Sequence, residues 1–97
     1  MKFGVRLPQD GPFASRENIA RVARLAEQLN YDSVWVHDHT HWPYPSKSHL
    51  SAGTKAAVDS FGNPPYLYET LATLAYVGGI TERVRLGTAA IIAPLRN

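Results

Sequence analysis

The chain has 97 residues, 44% hydrophobic and 19% charged, with a formal charge of +2. Its ten Lys and Arg residues are scattered, which excludes a phosphate-binding basic face, and the lack of cysteine excludes a disulfide scaffold, a thiolate nucleophile and a zinc–thiolate centre. No window holds the roughly 18–20 apolar residues of a membrane span. The first residues lack the basic-then-apolar order of a secretory leader, so a cytoplasmic chain without membrane or nucleic-acid partners is expected.

Taken in chain order, a short apolar run predicts a strand over about 2–7, ended by Pro8 and the turn-rich Asp10-Gly11-Pro12. A helix is predicted over 16–29. Ser15 offers the N-cap oxygen, Glu17 sits in the first turn, and Ile19, Val22, Ala23, Ala26 and Leu29 share one face. Arg16, Arg21 and Arg24 mark the wet side, and Asn30 stands where a left-handed residue stops a helix. Residues 33–37 predict a second strand without polar alternation, the pattern of a strand buried on both faces.

Residues 38–65 turn rich in Pro, Ser, Gly and His, and a loop that long inside a compact domain usually carries function. A second helix is predicted over 66–78, entered at Pro64-Pro65, striped by Leu67, Leu71, Leu74 and Ala75, and ended by Gly78-Gly79. A third strand is predicted over 84–92, closed by Pro94. Strands alternating with helices mean right-handed βαβ units and a parallel sheet, whose ligands bind at the carboxyl ends of the strands. Residues 8–13, 38–42 and 88–92 are therefore where chemistry belongs.

The four histidines all lie between positions 37 and 49, three of them in His37-Asp38-His39-Thr40-His41. Imidazoles spaced by two can share a metal ion, or one can act as a general acid or base tuned by Asp38; a wet loop with a chance excess of histidine reads the same way. Trp42 and Tyr44 follow, either as a wall for a planar ring or as loop anchors. In Gly87-Thr88-Ala89-Ala90 the small residues waste packing volume within a strand. A closely approaching ligand, a local bulge or a tight helix contact would each explain them. There is no GxGxxG, GxxxxGK[ST] or GxSxG motif, so no Rossmann site, P-loop or nucleophile elbow is supported.

Several stretches, in order, carry a resemblance. They are Met1-Lys2-Phe3-Gly4-Val5, Tyr31-Asp32-Ser33-Val34-Trp35-Val36 followed by Asp38-His39, Pro65-Tyr66-Leu67, Thr81-Glu82-Arg83-Val84-Arg85-Leu86-Gly87-Thr88, and Pro94-Leu95-Arg96-Asn97. Together they resemble the luciferase-like flavin monooxygenase superfamily, and most of all its branch using the deazaflavin coenzyme F420 rather than FMN. The resemblance implies a (β/α)8 TIM barrel with the cofactor ring at the carboxyl ends of the strands. Residues 1–97 would form one N-terminal βαβαβ segment of it, with the barrel incomplete in this chain.

The same resemblance implies the site. His39 would be the acid/base or hydride-site partner, and Asp38 would hold the cofactor or fix the imidazole. Thr88, Ala89, Ala90 and Ile91 would lie against the cofactor, with Ala89-Ala90 at the family's non-proline cis peptide, and Trp42 would face the substrate. The implied activity is hydride transfer with F420, or monooxygenation with FMN, on a small organic substrate and without a metal. A whole barrel takes about 250 residues. The chain is therefore expected to be an N-terminal segment, inactive alone, that is completed by the remaining strands or forms a homo-oligomer. Two other readings stay open: a non-catalytic βαβ platform that associates through its helices, and a metal-dependent barrel hydrolase built on His37 and His39.

Overall fold

The computed structural model of the protein describes residues 1–39 and 67–96. Strand β1 (Gly4–Arg6) leads into helix α1 (Arg16–Gln28), strand β2 (Ser33–Val36), helix α2 (Thr70–Gly78) and strand β3 (Arg85–Thr88). The three strands form one parallel sheet in the order β1-β2-β3, with Val5 level with Val34 and Val34 level with Leu86. This is the N-terminal βαβαβ arrangement of a (β/α)8 barrel, and three strands leave the sheet unclosed.

Helix α1 starts and stops where its residues dictate. The Ser15 hydroxyl accepts the Asn18 N–H at 3.0 Å, and Asn30 takes the left-handed conformation at φ 61°. Ile19, Ala20, Ala23 and Ala26 are its buried residues; three alanines let the helix lie close to the sheet. Leu29, expected on that face, is 61% exposed. Beyond the helix, the Glu27 carboxylate accepts the N–H groups of Glu82, Arg83 and Val84, which fastens the end of α1 to the approach to β3.

Helix α2 begins at Thr70, four residues later than the spacing predicts. Leu67 forms an antiparallel bridge with Asp10, and the Tyr68 N–H donates to the Gln9 carbonyl at 2.9 Å. Both bonds hold the segment extended against the continuation of β1. Glu69 then caps the helix by accepting the Ala72 N–H at 2.6 Å. Thr70, Thr73 and Val77 are the buried residues, while Leu71 is 44% exposed. Of the predicted stripe within the helix, Leu74 packs against the core while Leu71 and Ala75 are exposed. The Pro64-Pro65 entry lies outside the described residues. Gly79 closes the helix in the right-handed region rather than the left-handed one.

One face of the sheet supplies the core. Leu7, Val34, Val36 and Val84 pack with Ile19, Ala23, Ala26 and Val77. The other face is not covered by either helix, which corrects the expectation that β2 is buried on both sides: its burial alternates, with Trp35 39% exposed. The indole also explains Gly87. A β-carbon at Gly87 would lie 2.6 Å from the six-membered ring of Trp35, and one at Gly4 would meet the other end of the same side chain. Gly87 is small because an indole from the neighbouring strand lies over it, a cause distinct from ligand approach, a bulge or a helix contact. Strand β3 ends at Thr88 rather than at residue 92, because the backbone beyond it turns to meet Asp38.

Replacing Gly87 with Val is expected to destabilise the protein by about 1–3 kcal/mol, as overpacking does. In a Trp35→Ala background the same replacement should cost much less. A double-mutant cycle by urea unfolding measures this, and additive penalties would show that the indole is not the obstacle.

Candidate functional site

The carboxyl ends of β1 and β2 and the chain entering α2 meet around the side chain of Gln9, which is fully buried. Its Oε1 accepts the His37 N–H at 2.6 Å, and its Nε2 donates to the carbonyls of His37 at 2.9 Å and Tyr68 at 3.2 Å. The amide orientation follows from chemistry, since only oxygen can face the N–H and only the NH2 group can face two carbonyls. Strand pairing between β1 and β2 ends with the Leu7 N–H on the Trp35 carbonyl. The Gln9 side chain then extends that ladder by one rung.

Asp38, the next residue on β2's end, is buried, its side chain only 2% exposed. One oxygen accepts the Ile92 N–H at 2.9 Å, and the other faces the Thr70 hydroxyl at 3.1 Å and the Arg96 guanidinium. The Thr70 proton is shared with the His37 carbonyl 2.8 Å away. Arg96 also reaches Glu69, the cap of α2. The Ile92 N–H above all, then Arg96 and Thr70, hold the Asp38 carboxyl below the ordinary aspartate range, against the opposing effect of burial. Asp38 therefore sits as a brace joining β2, α2 and the segment after β3. Its described partners are Ile92, Thr70 and Arg96.

His37 and His39 occupy the same end of the sheet, their rings edge to face with centroids 6.0 Å apart. His37 Nε2 lies 2.8 Å from Asp10 Oδ2, an oxygen that also meets the Arg6 guanidinium. The His39 residue is exposed. Beside them runs the segment after β3. Thr88 is level with Val36, the Ala89 N–H donates to the Val36 carbonyl at 2.7 Å, and Ala89, Ala90 and Ile91 are exposed. Asp38, His39, Thr88, Ala89, Ala90 and Ile91 are thus brought together at one end of the sheet. Trp42, like Tyr44, His41 and His49, lies outside the described residues.

A planar cofactor ring needs a permissive floor of small residues and polar groups at its edge. Exposed Ala89 and Ala90, beside the strand end that leads into His37 and His39, offer that, and these residues fit such a group. Among the described residues no cluster of three or more His, Asp or Glu is placed to hold a metal, and no helix is long and apolar enough to cross a membrane. The residues that build this end and that motif reading passed over are Gln9, Asp10, Arg6, Thr70 and Arg96. A faint signal existed for the first two, since they directly follow a strand within the 8–13 stretch where ligands are expected.

A parallel α/β sheet with polar side chains gathered at the carboxyl ends of its strands is the arrangement on which α/β proteins, barrels among them, place their ligand sites. The chain belongs to the luciferase-like monooxygenase family, whose model matches residues 1–97. It is also similar to a protein of Staphylococcus saprophyticus named 4-hydroxy-tetrahydrodipicolinate reductase, at 45% identity over 56 residues. That match covers 53% of this chain and 23% of the relative, so it spans about a quarter of the relative's length. No solved structure matches the chain.

Two outcomes follow from the bonds at this end. Gln9→Leu keeps the volume but takes away the partner of the His37 N–H and of the Tyr68 carbonyl, each loss costing about 1–3 kcal/mol, so a large drop in the urea midpoint is expected. Asp38→Asn tests the brace through pH. A carboxylate whose folded pKa is depressed contributes stability above its unfolded value, lost as pH falls through the folded one. Asp38→Asn should therefore weaken the protein at neutral pH and narrow its gap to the parent as pH falls below the ordinary aspartate range. An unchanged gap would refute the brace.

Proposed function

We propose that the protein is a flavin-type oxidoreductase that uses coenzyme F420, in preference to FMN, to act on a small organic substrate. The family is one of luciferase-like monooxygenases, and the partial similarity to a protein named a reductase agrees with redox chemistry. The observation that carries the reading is that the end of β2, which leads into His37-Asp38-His39, and the exposed small residues Ala89 and Ala90 after β3 lie side by side at the carboxyl end of the sheet, joined by the Ala89 N–H on the Val36 carbonyl. When bound, a deazaflavin supplies a two-electron hydride exchange with an alcohol or an activated alkene.

The chain's own residues contribute position and proton handling. Ala89, Ala90 and Ile91 would support the ring, Thr88 would lie at its edge, and His39 would face it with its imidazole. Asp38 acts by holding the 36–38 and 89–92 segments side by side, through the Ile92 N–H. Trp42 would line the substrate side. The other strands of the barrel would complete the pocket. A second reading, association through the helices, is favoured by the exposure of Leu25, Leu29 and Leu71 at 46%, 61% and 44%.

Titration of the protein with the remaining strands of its barrel present, using F420 and FMN and following quenching of ring fluorescence, separates these readings. Saturable F420 binding with weaker FMN binding is expected. Tighter FMN binding would move the protein to the monooxygenating branch, and no saturable binding by either would leave association as the function. In the F420-loaded protein, His39→Ala should lower turnover of small alcohols by about 10²–10⁴-fold while coenzyme affinity stays within a few-fold.

A further inference from the structure

The backbone of His37 is anchored at both of its polar groups. Its N–H and carbonyl are both bound by Gln9, and its carbonyl also faces the Thr70 hydroxyl. Two residues after Trp35, it continues the alternation onto the face that the helices leave uncovered. Its imidazole is 17% exposed, and the Asp10 carboxylate 2.8 Å from its Nε2 is 11% exposed. Arg6, on the same face one strand away, meets the same Asp10 oxygen.

An ion pair built for stability would favour a charged imidazole. Here the surroundings favour the neutral ring. Burial above all, then the Arg6 guanidinium and His39, lower the His37 pKa, and the Asp10 and Asp38 carboxylates offset only part of that. A neutral imidazole with Nε2 at a carboxylate spends its one N–H there and keeps its lone pair on Nδ1. A carboxylate that fixes a tautomer so that the opposite nitrogen can take a proton is the arrangement of a general base.

We propose that His37 is a second acid–base residue of this site, beside His39, with Asp10 and Arg6 as its positioning residues. The inference rests on the oxidoreductase reading and deepens it, since it names a hydroxyl-bearing small molecule as the substrate class. As the substrate reacts, its O–H bond breaks, the electron pair stays on oxygen, and the proton binds Nδ1. The imidazolium so formed faces Asp10, which offsets its charge. Arg6 balances Asp10, so that the carboxylate orients the ring without protonating it in advance.

Long-range proton–nitrogen NMR of the histidine-labelled protein tests this without turnover. His37 is expected as the Nε2–H tautomer, titrating below an ordinary histidine. Arg6→Gln should raise its midpoint, and Asp10→Asn should lower it and admit the Nδ1–H form. An Nδ1–H tautomer in the parent protein, or a midpoint indifferent to Arg6→Gln, overturns the proposal. In the F420-loaded protein, His37→Gln should lower kcat for alcohols by about 10²–10⁴-fold, and the acid limb of the kcat profile should follow the NMR midpoint in Arg6→Gln. If His37→Gln turns over normally while His39→Ala does not, the oxidoreductase reading stands and this proposal falls. If neither coenzyme binds, the oxidoreductase reading falls and takes the proton role with it.

Discussion

The buried carboxamide of Gln9 is the constraint on which this end of the protein depends. Backbone N–H and C=O groups removed from water must find partners, and β1 stops pairing with β2 just where the chain has to open toward a ligand. A side-chain amide has the same donor and acceptor groups as a peptide. Placed after the strand, it satisfies both polar groups of His37 and one carbonyl of the chain entering α2. No apolar residue of that size can do so, and a carboxylate would set negative charge against two carbonyl oxygens. The position thus selects for an amide, and the sheet gains a rung without adding a strand.

From that rung outward, work is divided among the polar side chains. Asp38 is saturated with donors and buried, so its chemistry is exhausted in joining three elements. Arg96 extends the same brace to Glu69 and so to the start of α2. What the brace leaves available are the imidazoles: His39 exposed, and His37 restrained with a carboxylate at one nitrogen. Adjacent positions on one strand end therefore have opposite characters, because alternation sends His37 to the uncovered face of the sheet and Asp38 to the helix side.

What could be read from the sequence divides along the same physical line. Local rules served well where the cause is local: the Ser15 cap, the left-handed Asn30 and the alternation of strands with helices all depend on residues a few positions apart. They failed where the cause lies across the sheet. Of the stripe predicted for α2 only Leu74 packs on the core, and Thr70, Thr73 and Val77 supply its buried face, because Leu67 and Tyr68 are held by Asp10 and Gln9, almost sixty residues earlier. Gly87 was legible as unusual but not as the seat of an indole, since nothing in its neighbourhood mentions Trp35. At the site, Asp38 and His39 stood out as a motif. Gln9 and Asp10 did not, because a lone Gln or Asp after a strand carries no spacing signal.

Stability and reactivity are consequently hard to separate here. The bonds that orient His37 come from positions 9, 10 and 70, and those that hold the segment beside it come from Asp38. Each spans 27 or more residues of sequence, so each forms only when the sheet and both helices have assembled. The imidazole geometry is then a property of the whole βαβαβ unit rather than of the loop that carries the histidines. A substitution deep in the core, at Val34 or Ile19, would reach the site by loosening the two strand ends that Gln9 ties together. A substitution in the loop itself, at the exposed His39, would change the chemistry and leave that frame standing.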